Sequence, residues 1–220
     1  MPLTRYHFRH AVSAFLEVPR AFAVPCLPGR LEPLEANHGI GVLAVTAFDF
    51  VDSEVGPYQE LVLSILTPPR ICPDGAWPRS AFFPFMVGTS SQASRLHAIE
   101  RWRLPHYMKD IEVEFEEVKG SIRIRAHERG RPILDLDVSG SDWGPTRQLY
   151  QVFSSSEDQL YKADIHMEGL FTEHEEETGR LVLHDHPMCA SLTGTEVTRP
   201  FRELWLRNDV QSIDTLKRLT

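Results

Sequence analysis

The residues with the most chemistry to offer fall in three places. Tyr58-Gln59-Glu60 opens an apolar run, Leu61-Val62-Leu63-Ser64-Ile65-Leu66. Alternate residues of an extended strand share a face, so Tyr58 and Glu60 project together. A carboxylate turned into an apolar interior has its charged form penalised, which raises its pKa and makes it a usable acid or base near neutrality. Turned outward, the same residue is a solvated or arginine-paired strand-end group. His106, after Leu104-Pro105, has a side chain whose ordinary pKa of ~6.5 lets it give or take a proton. Its other reading is a hydrogen-bonded histidine that fills space. Finally, His166, His174, His184 and His186 cluster late in the chain, and His184-x-His186 would put two rings on one strand face, as some metal sites require. The surrounding Glu173-His174-Glu175-Glu176-Glu177-Thr178-Gly179 reads as a solvated acidic hairpin loop, so we read these histidines as structural and expect no metal.

Several classes are excluded by what is absent. There is no G-x-G-x-x-G, P-loop, G-x-S-x-G or H-E-x-x-H, so dinucleotide, nucleotide-hydrolase, serine-hydrolase and zinc-protease readings have no support. Lys+Arg 23 against Asp+Glu 31 gives a net charge of −8, the wrong sign for a protein that must displace counterions from nucleic acid. Cys26, Cys72 and Cys189 are scattered and odd in number, which fits reduced thiols in a cytoplasmic protein better than a disulfide framework. No apolar segment approaches the ~20 residues that span a bilayer, and the polar start of the chain does not read as a signal peptide. We expect no membrane or nucleic-acid partner and a cytoplasmic location.

The elements that must position these residues are mostly strands. Residues 39–48, 60–66 and 80–87 read as buried strands, with Pro84 marking an edge or a bulge in the third. Thr89-Ser90-Ser91-Gln92 matches a capping box at the head of a helix whose apolar face is Ala93, Leu96 and Ile99 to Trp102, stopped by Pro105. Ile111 to Phe115 and Ile122 to Arg125 alternate around a Lys119-Gly120 turn as a hairpin, and 132–138 continues the pattern. Further strands are expected at 149–153, 160–167, 180–183 and 201–206. Strands at regular spacing with one or two short helices, and no repeat or linker, point to a single mainly-β domain over 1–220, an antiparallel barrel.

Taken together, several of these segments resemble the acetoacetate decarboxylase-like family. Ser53 to Glu60 is similar to that family's turn and strand carrying an active-site glutamate after a tyrosine. Ala98-Ile99-Glu100-Arg101-Trp102-Arg103-Leu104-Pro105-His106 is similar to its helix end and Pro-Lys segment, and the hairpins to Val138 and the His186-Pro187 step keep its order. The resemblance runs from about Val18 to Leu192. It implies a cone-shaped β-barrel around a small-molecule pocket, with no metal or organic cofactor, and suggests a homo-oligomer.

The departure from the pattern decides the chemistry expected. The family's lysine forms an iminium with a β-keto acid, and this needs an amine whose pKa is lowered by burial or a neighbouring cation. Here that position is His106 and the next is Tyr107, and imidazole cannot serve as the electron sink. The chain has only four lysines. Lys119 lies in a turn, Lys217 near the C-terminus, Lys162 in a strand pattern, and Lys109 on the face opposite His106 if that stretch is extended. The reading that follows is a cofactor-independent enzyme of lyase, isomerase or cyclase type. It acts on a small or medium organic acid or keto compound by lysine-independent acid/base chemistry. Glu60 and His106 are its proton-transfer pair, Tyr58 orients Glu60, Arg20 or Arg30 holds a substrate carboxylate, and Glu100 is a further pocket candidate. The competing readings are a non-catalytic small-molecule-binding barrel and a Schiff-base decarboxylase that uses Lys109.

Overall fold

In a computed structural model, residues 3–175, 178–192 and 198–219 are described. In chain order the elements are β1 (Thr4–Pro19), α1 (Arg20–Ala23), β2 (Glu35–Asn37), β3 (Ile40–Asp52), β4 (Tyr58–Thr67), β5 (Ser80–Thr89) and α2 (Gln92–Trp102). There follow β6 (Glu112–Val118), β7 (Ser121–Glu128), β8 (Arg131–Ser139), β9 (Gly144–Ser156), β10 (Gln159–His174), β11 (Arg180–Leu183), β12 (Arg202–Ile213) and β13 (Lys217–Leu219). Short 3-10 helices lie at Val24–Cys26 and Pro187–Leu192.

Seven strands close into a barrel in the order β1-β12-β10-β9-β5-β4-β3, the ring being completed by pairing of β1 with β3. Every contact in the ring is antiparallel except β5 with β9, which is parallel over Ser80–Phe82. A separate four-stranded sheet, β11-β8-β7-β6, packs on the barrel's outer face. Among the described residues no helix is long and apolar enough to cross a membrane.

The two faces of each barrel strand are buried against different things. Leu61, Leu63 and Ile65 of β4 join Leu43, Val45 and Ala47 of β3 and Val12, Ala14 and Leu16 of β1 in the core shared with the outer sheet, where Ile122, Ile124, Leu134 and Leu136 meet them. The alternate residues face the barrel interior. Burial on both faces is why 60–66 reads as a continuous apolar run rather than as alternation.

Two irregularities set what points inward. Between Phe8 and His10 the β1 register shifts, so the inward set changes from Tyr6 and Phe8 to Ala11, Ser13 and Phe15. In β5, Leu63 pairs with Met86 but Ser64 with Pro84, leaving Phe85 as the extra residue. The proline therefore sits at a bulge of an interior strand, not at an edge, where its missing N–H costs no ladder bond. The helix cap also differs from the capping box expected at Thr89 and Gln92. Ser91 is the N-cap, its hydroxyl accepting from the Ser94 N–H at 3.2 Å, and Thr89 is the last residue of β5. Arg103 then closes α2 in the left-handed region at φ 56°. The hairpin turn at Lys119-Gly120 lies where expected, with Gly120 at φ 77°.

Candidate functional site

The barrel encloses a cavity of about 120 Å³. Its wall is mostly apolar: Ala11, Phe48, Val62, Phe82, Val152 and Ile165 among others, with α2 contributing Ala98 and Trp102. The polar groups in it are few. Among the described residues no lysine or arginine lines it, and its only carboxylate is Glu60.

Glu60 and Tyr58 reach the cavity together because β4 alternates, as their spacing predicts. Glu60 is half-buried, and the surface it keeps faces the cavity. It has no hydrogen bond or ion pair to any described residue. With nothing to compensate lost hydration, burial pushes its carboxyl from 4.5 up to about 8, so it is mainly uncharged at neutral pH. Tyr58 is only 5% exposed, and its hydroxyl likewise has no hydrogen-bond partner among the described residues. Burial, and then the neighbouring Glu60, raise its hydroxyl well above the ordinary value, so it stays an O–H donor.

Beside them stands a hydrogen-bonded chain that sequence reasoning missed. The Trp102 indole N–H donates to the Tyr6 hydroxyl at 2.8 Å, and that hydroxyl is 2.7 Å from His97 Nε2. Since the Tyr6 oxygen already accepts from Trp102, its own proton points to His97, whose Nε2 is then the acceptor. Burial lowers the His97 imidazole below its ordinary value and raises the Tyr6 hydroxyl, so both are held neutral. Tyr6 touches Phe50 at 5.4 Å between ring centroids, and Phe50 touches Tyr58 at 4.9 Å, so one aromatic row joins the two tyrosines. The available signals were the Tyr6-x-Phe8 alternation and the helical spacing of Ser94, Ala98 and Trp102, which face inward.

The remaining candidates lie elsewhere. His106 is not in the cavity wall. The Pro105–Tyr107 segment pairs along Val87 of β5, the Val87 N–H donating to Pro105 at 3.2 Å and the Tyr107 N–H to Val87 at 2.7 Å. His106 Nδ1 lies 2.9 Å from the Tyr107 carbonyl and donates to it, leaving Nε2 enclosed without a partner; burial holds the ring below its ordinary pKa. Arg20 is a surface residue occupied by Glu32 at 2.6 Å and Glu35 at 2.9 Å. Arg30 and Glu100 are exposed and outside the lining. A substrate carboxylate therefore has no arginine anchor in this cavity.

None of the four lysines lines the cavity either. Lys119 is exposed in its turn. Lys109 is on the surface, 2.8 Å from Glu128, and that hydrogen bond raises its pKa, the opposite of what an attacking amine requires. Lys162 is buried on the far side of β10, paired with Asp164 at 3.0 Å, and Lys217 lies 3.9 Å from the same carboxylate. Among the late histidines, His184 bonds Asp135 at 2.9 Å. His186 takes the Met188 N–H on Nδ1, so its Nε2 donates to Glu128 at 3.2 Å. Tyr107 and Lys109 donate to the same carboxylate, so this knot ties the segment after α2 to the outer sheet. His174 Nε2 accepts from the Ser141 N–H at 3.0 Å. Glu176 and Glu177 of the acidic loop lie outside the described residues.

No protein-family model and no curated protein sequence matches the chain. Solved structures do. Acetoacetate decarboxylase from Legionella pneumophila superposes with a TM-score of 0.71 at 14% identity, covering 100% of this chain and 88% of that one. The enduracididine biosynthesis enzyme MppR, solved with pyruvate, gives 0.67 at 12% identity over 100% and 91%. An acetoacetate decarboxylase-like enzyme from Sphingomonas wittichii RW1 gives 0.61 at 14% identity over 99% and 92%. At such identities the likeness is one of fold, and it spans the whole chain: this protein is a seven-stranded barrel with the acetoacetate decarboxylase-like fold.

Proposed function

We propose that the chain is a cofactor-independent enzyme that moves a proton at the carbon next to a carbonyl, in a small uncharged keto compound held in the barrel. The observation that carries this reading is Glu60, a carboxyl with no partner among the described residues and a pKa of about 8, facing an apolar cavity that none of the described lysines or arginines lines. A carboxylate of that pKa is a far stronger base than an ordinary one, yet a useful fraction is ionised near neutrality. In the step, the ionised Glu60 takes the proton from the α-carbon. The C–H electron pair forms the enolate and its charge settles on the carbonyl oxygen. The Tyr58 O–H donates a hydrogen bond to that oxygen, as an oxyanion donor does. Glu60 then returns the proton to the same carbon or to one conjugated with it, so the balance closes without an oxidant or a second substrate. The Trp102–Tyr6–His97 chain holds the wall beside them in one arrangement. Keto compounds suit this site better than carboxylates, because a second anion beside Glu60 would meet no cation.

The test is exchange of α-hydrogen for deuterium in a panel of small ketones, followed by NMR. Exchange above the protein-free rate should rise about tenfold per pH unit and level off above pH 8, vanish in Glu60→Gln, and fall in Tyr58→Phe. Saturable ketone binding with no exchange would instead favour a barrel that only binds its ligand.

A further inference from the structure

The cavity has polar groups at more than one level. Ser64 lies four residues beyond Glu60 on the same face of β4, about 13 Å along an extended strand, with Val62 between them. Ser64 is 3% exposed and lines the cavity, and its hydroxyl has no hydrogen-bond partner among the described residues. Close by, Thr46 of β3 pairs with Val62 and so sits diagonal to Ser64. Its hydroxyl is 2.9 Å from that of Ser13 on β1, and both line the cavity. Each hydroxyl of this pair has bonding capacity left over. A hydroxyl with no protein partner that opens on an apolar cavity is satisfied best by a polar group held there.

We propose that the cavity selects a two-ended uncharged molecule: a ketone with its carbonyl at Tyr58 and Glu60, a saturated middle against Val62, and a second hydroxyl or carbonyl oxygen bonded to Ser64. This deepens the reading given above and rests on it for the identity of the reacting end. Ser64 is a specificity residue with no part in moving the proton. A ligand lacking the second oxygen leaves the Ser64 hydroxyl unpaired, and one with a charged terminus finds no counter-ion.

The experiment compares 2-alkanones of increasing chain length with and without a terminal hydroxyl. Binding is followed by Trp102-dependent fluorescence and by calorimetry, and α-deuterium exchange is measured in parallel. At the matching length the hydroxyl should tighten the dissociation constant about fivefold. Ser64→Ala should erase that gain, so that hydroxylated and plain ketones bind alike, and its melting curve should confirm that it is folded. Terminal hydroxyls that bring no gain at any length, or a gain that survives in Ser64→Ala, overturn the proposal. Loss of exchange with the binding preference intact would overturn only the role of Glu60, so the two failures read differently.

Discussion

Replacing Glu60 by glutamine should stabilise the protein, and by an amount that depends on pH. In the unfolded chain Glu60 titrates near 4.5, and in the folded barrel at about 8. A group whose folded pKa is raised contributes its full stability below the unfolded value, and that contribution is lost as pH rises to the folded value. At pH 7 the unfolded state has already gained by releasing the proton, while the folded state mostly retains it. At 1.36 kcal/mol per unit, the difference comes to about 3 kcal/mol against folding at pH 7 and almost nothing at pH 4. Glutamine keeps the shape and polarity but does not titrate. Glu60→Gln should therefore gain up to about 3 kcal/mol at pH 7, or roughly 6–12 °C in Tm for a chain of this size. Urea unfolding of both proteins at pH 4, 7 and 9 isolates the effect, because every other titrating group cancels in the difference. A gain independent of pH, or a variant less stable at pH 7, would refute the reasoning: it would mean that the carboxylate is ionised and solvated or paired in the barrel.

Four further outcomes follow from the geometry. Tyr6→Phe leaves the Trp102 N–H and His97 Nε2 without their partner and should cost about 1–3 kcal/mol in urea unfolding; an unchanged midpoint would mean that water replaces the hydroxyl. Lys162→Met strands the buried Asp164 carboxylate and should cost about 3–5 kcal/mol, against a near-neutral Lys162→Met/Asp164→Leu double variant. Burial pushes Asp164 up, but bonds from Lys162 and Gln151 outweigh it and hold its carboxyl below the ordinary value, so the pair stabilises above the usual carboxylate range and the single variant should lose much of that acid sensitivity. Borohydride treatment with β-keto acids should leave the intact mass unchanged, since no lysine faces the cavity; a mapped adduct on Lys109 would overturn that. Gly179→Ala brings a Cβ within 2.7 Å of the Asp137 carbonyl and 2.6 Å of the Glu203 carboxyl carbon and should cost about 1–3 kcal/mol by thermal melt.

Barrel strands β3, β4 and β5 were legible as apolar runs because both of their faces are buried, and in the outer sheet β11 falls on residues 180–183 as its pattern predicts. β1 was not, although it runs sixteen residues. Its inward parity switches between Phe8 and His10, so no single alternation spans it, and a polar start hides Tyr6 among Arg5, His7 and Arg9. Of the site, Tyr58 and Glu60 could be read because they share one strand and a fixed period. His97 and Tyr6 are 91 residues apart, and only closure of the barrel brings them together, which no local spacing reports. His106 shows the reverse case. Its position along the chain suggested a pocket residue, but pairing of Pro105–Tyr107 with Val87 keeps it out of the cavity wall.

The absence of a cavity lysine and the state of Glu60 are two sides of one electrostatic arrangement. An ammonium in the wall would hold the nearby carboxylate ionised and its pKa low, leaving a weak base. With no lysine or arginine lining the cavity, burial acts on Glu60 alone, and the carboxyl that would have been a charged partner becomes a group poised near neutral pH. The same absence leaves an anionic ligand without a counter-ion, so in the proposed reading lysine-independent chemistry and a preference for an uncharged ligand are coupled. Placing a positive charge in the wall tests that coupling directly. Val62→Lys, beside Glu60 on the same face of β4, should lower the pH at which exchange levels off and slow the plateau rate, because a more acidic carboxyl is a weaker base. A variant that stays folded, carries the ammonium, and keeps the plateau above pH 8 would show that something other than desolvation holds Glu60 in its unusual state.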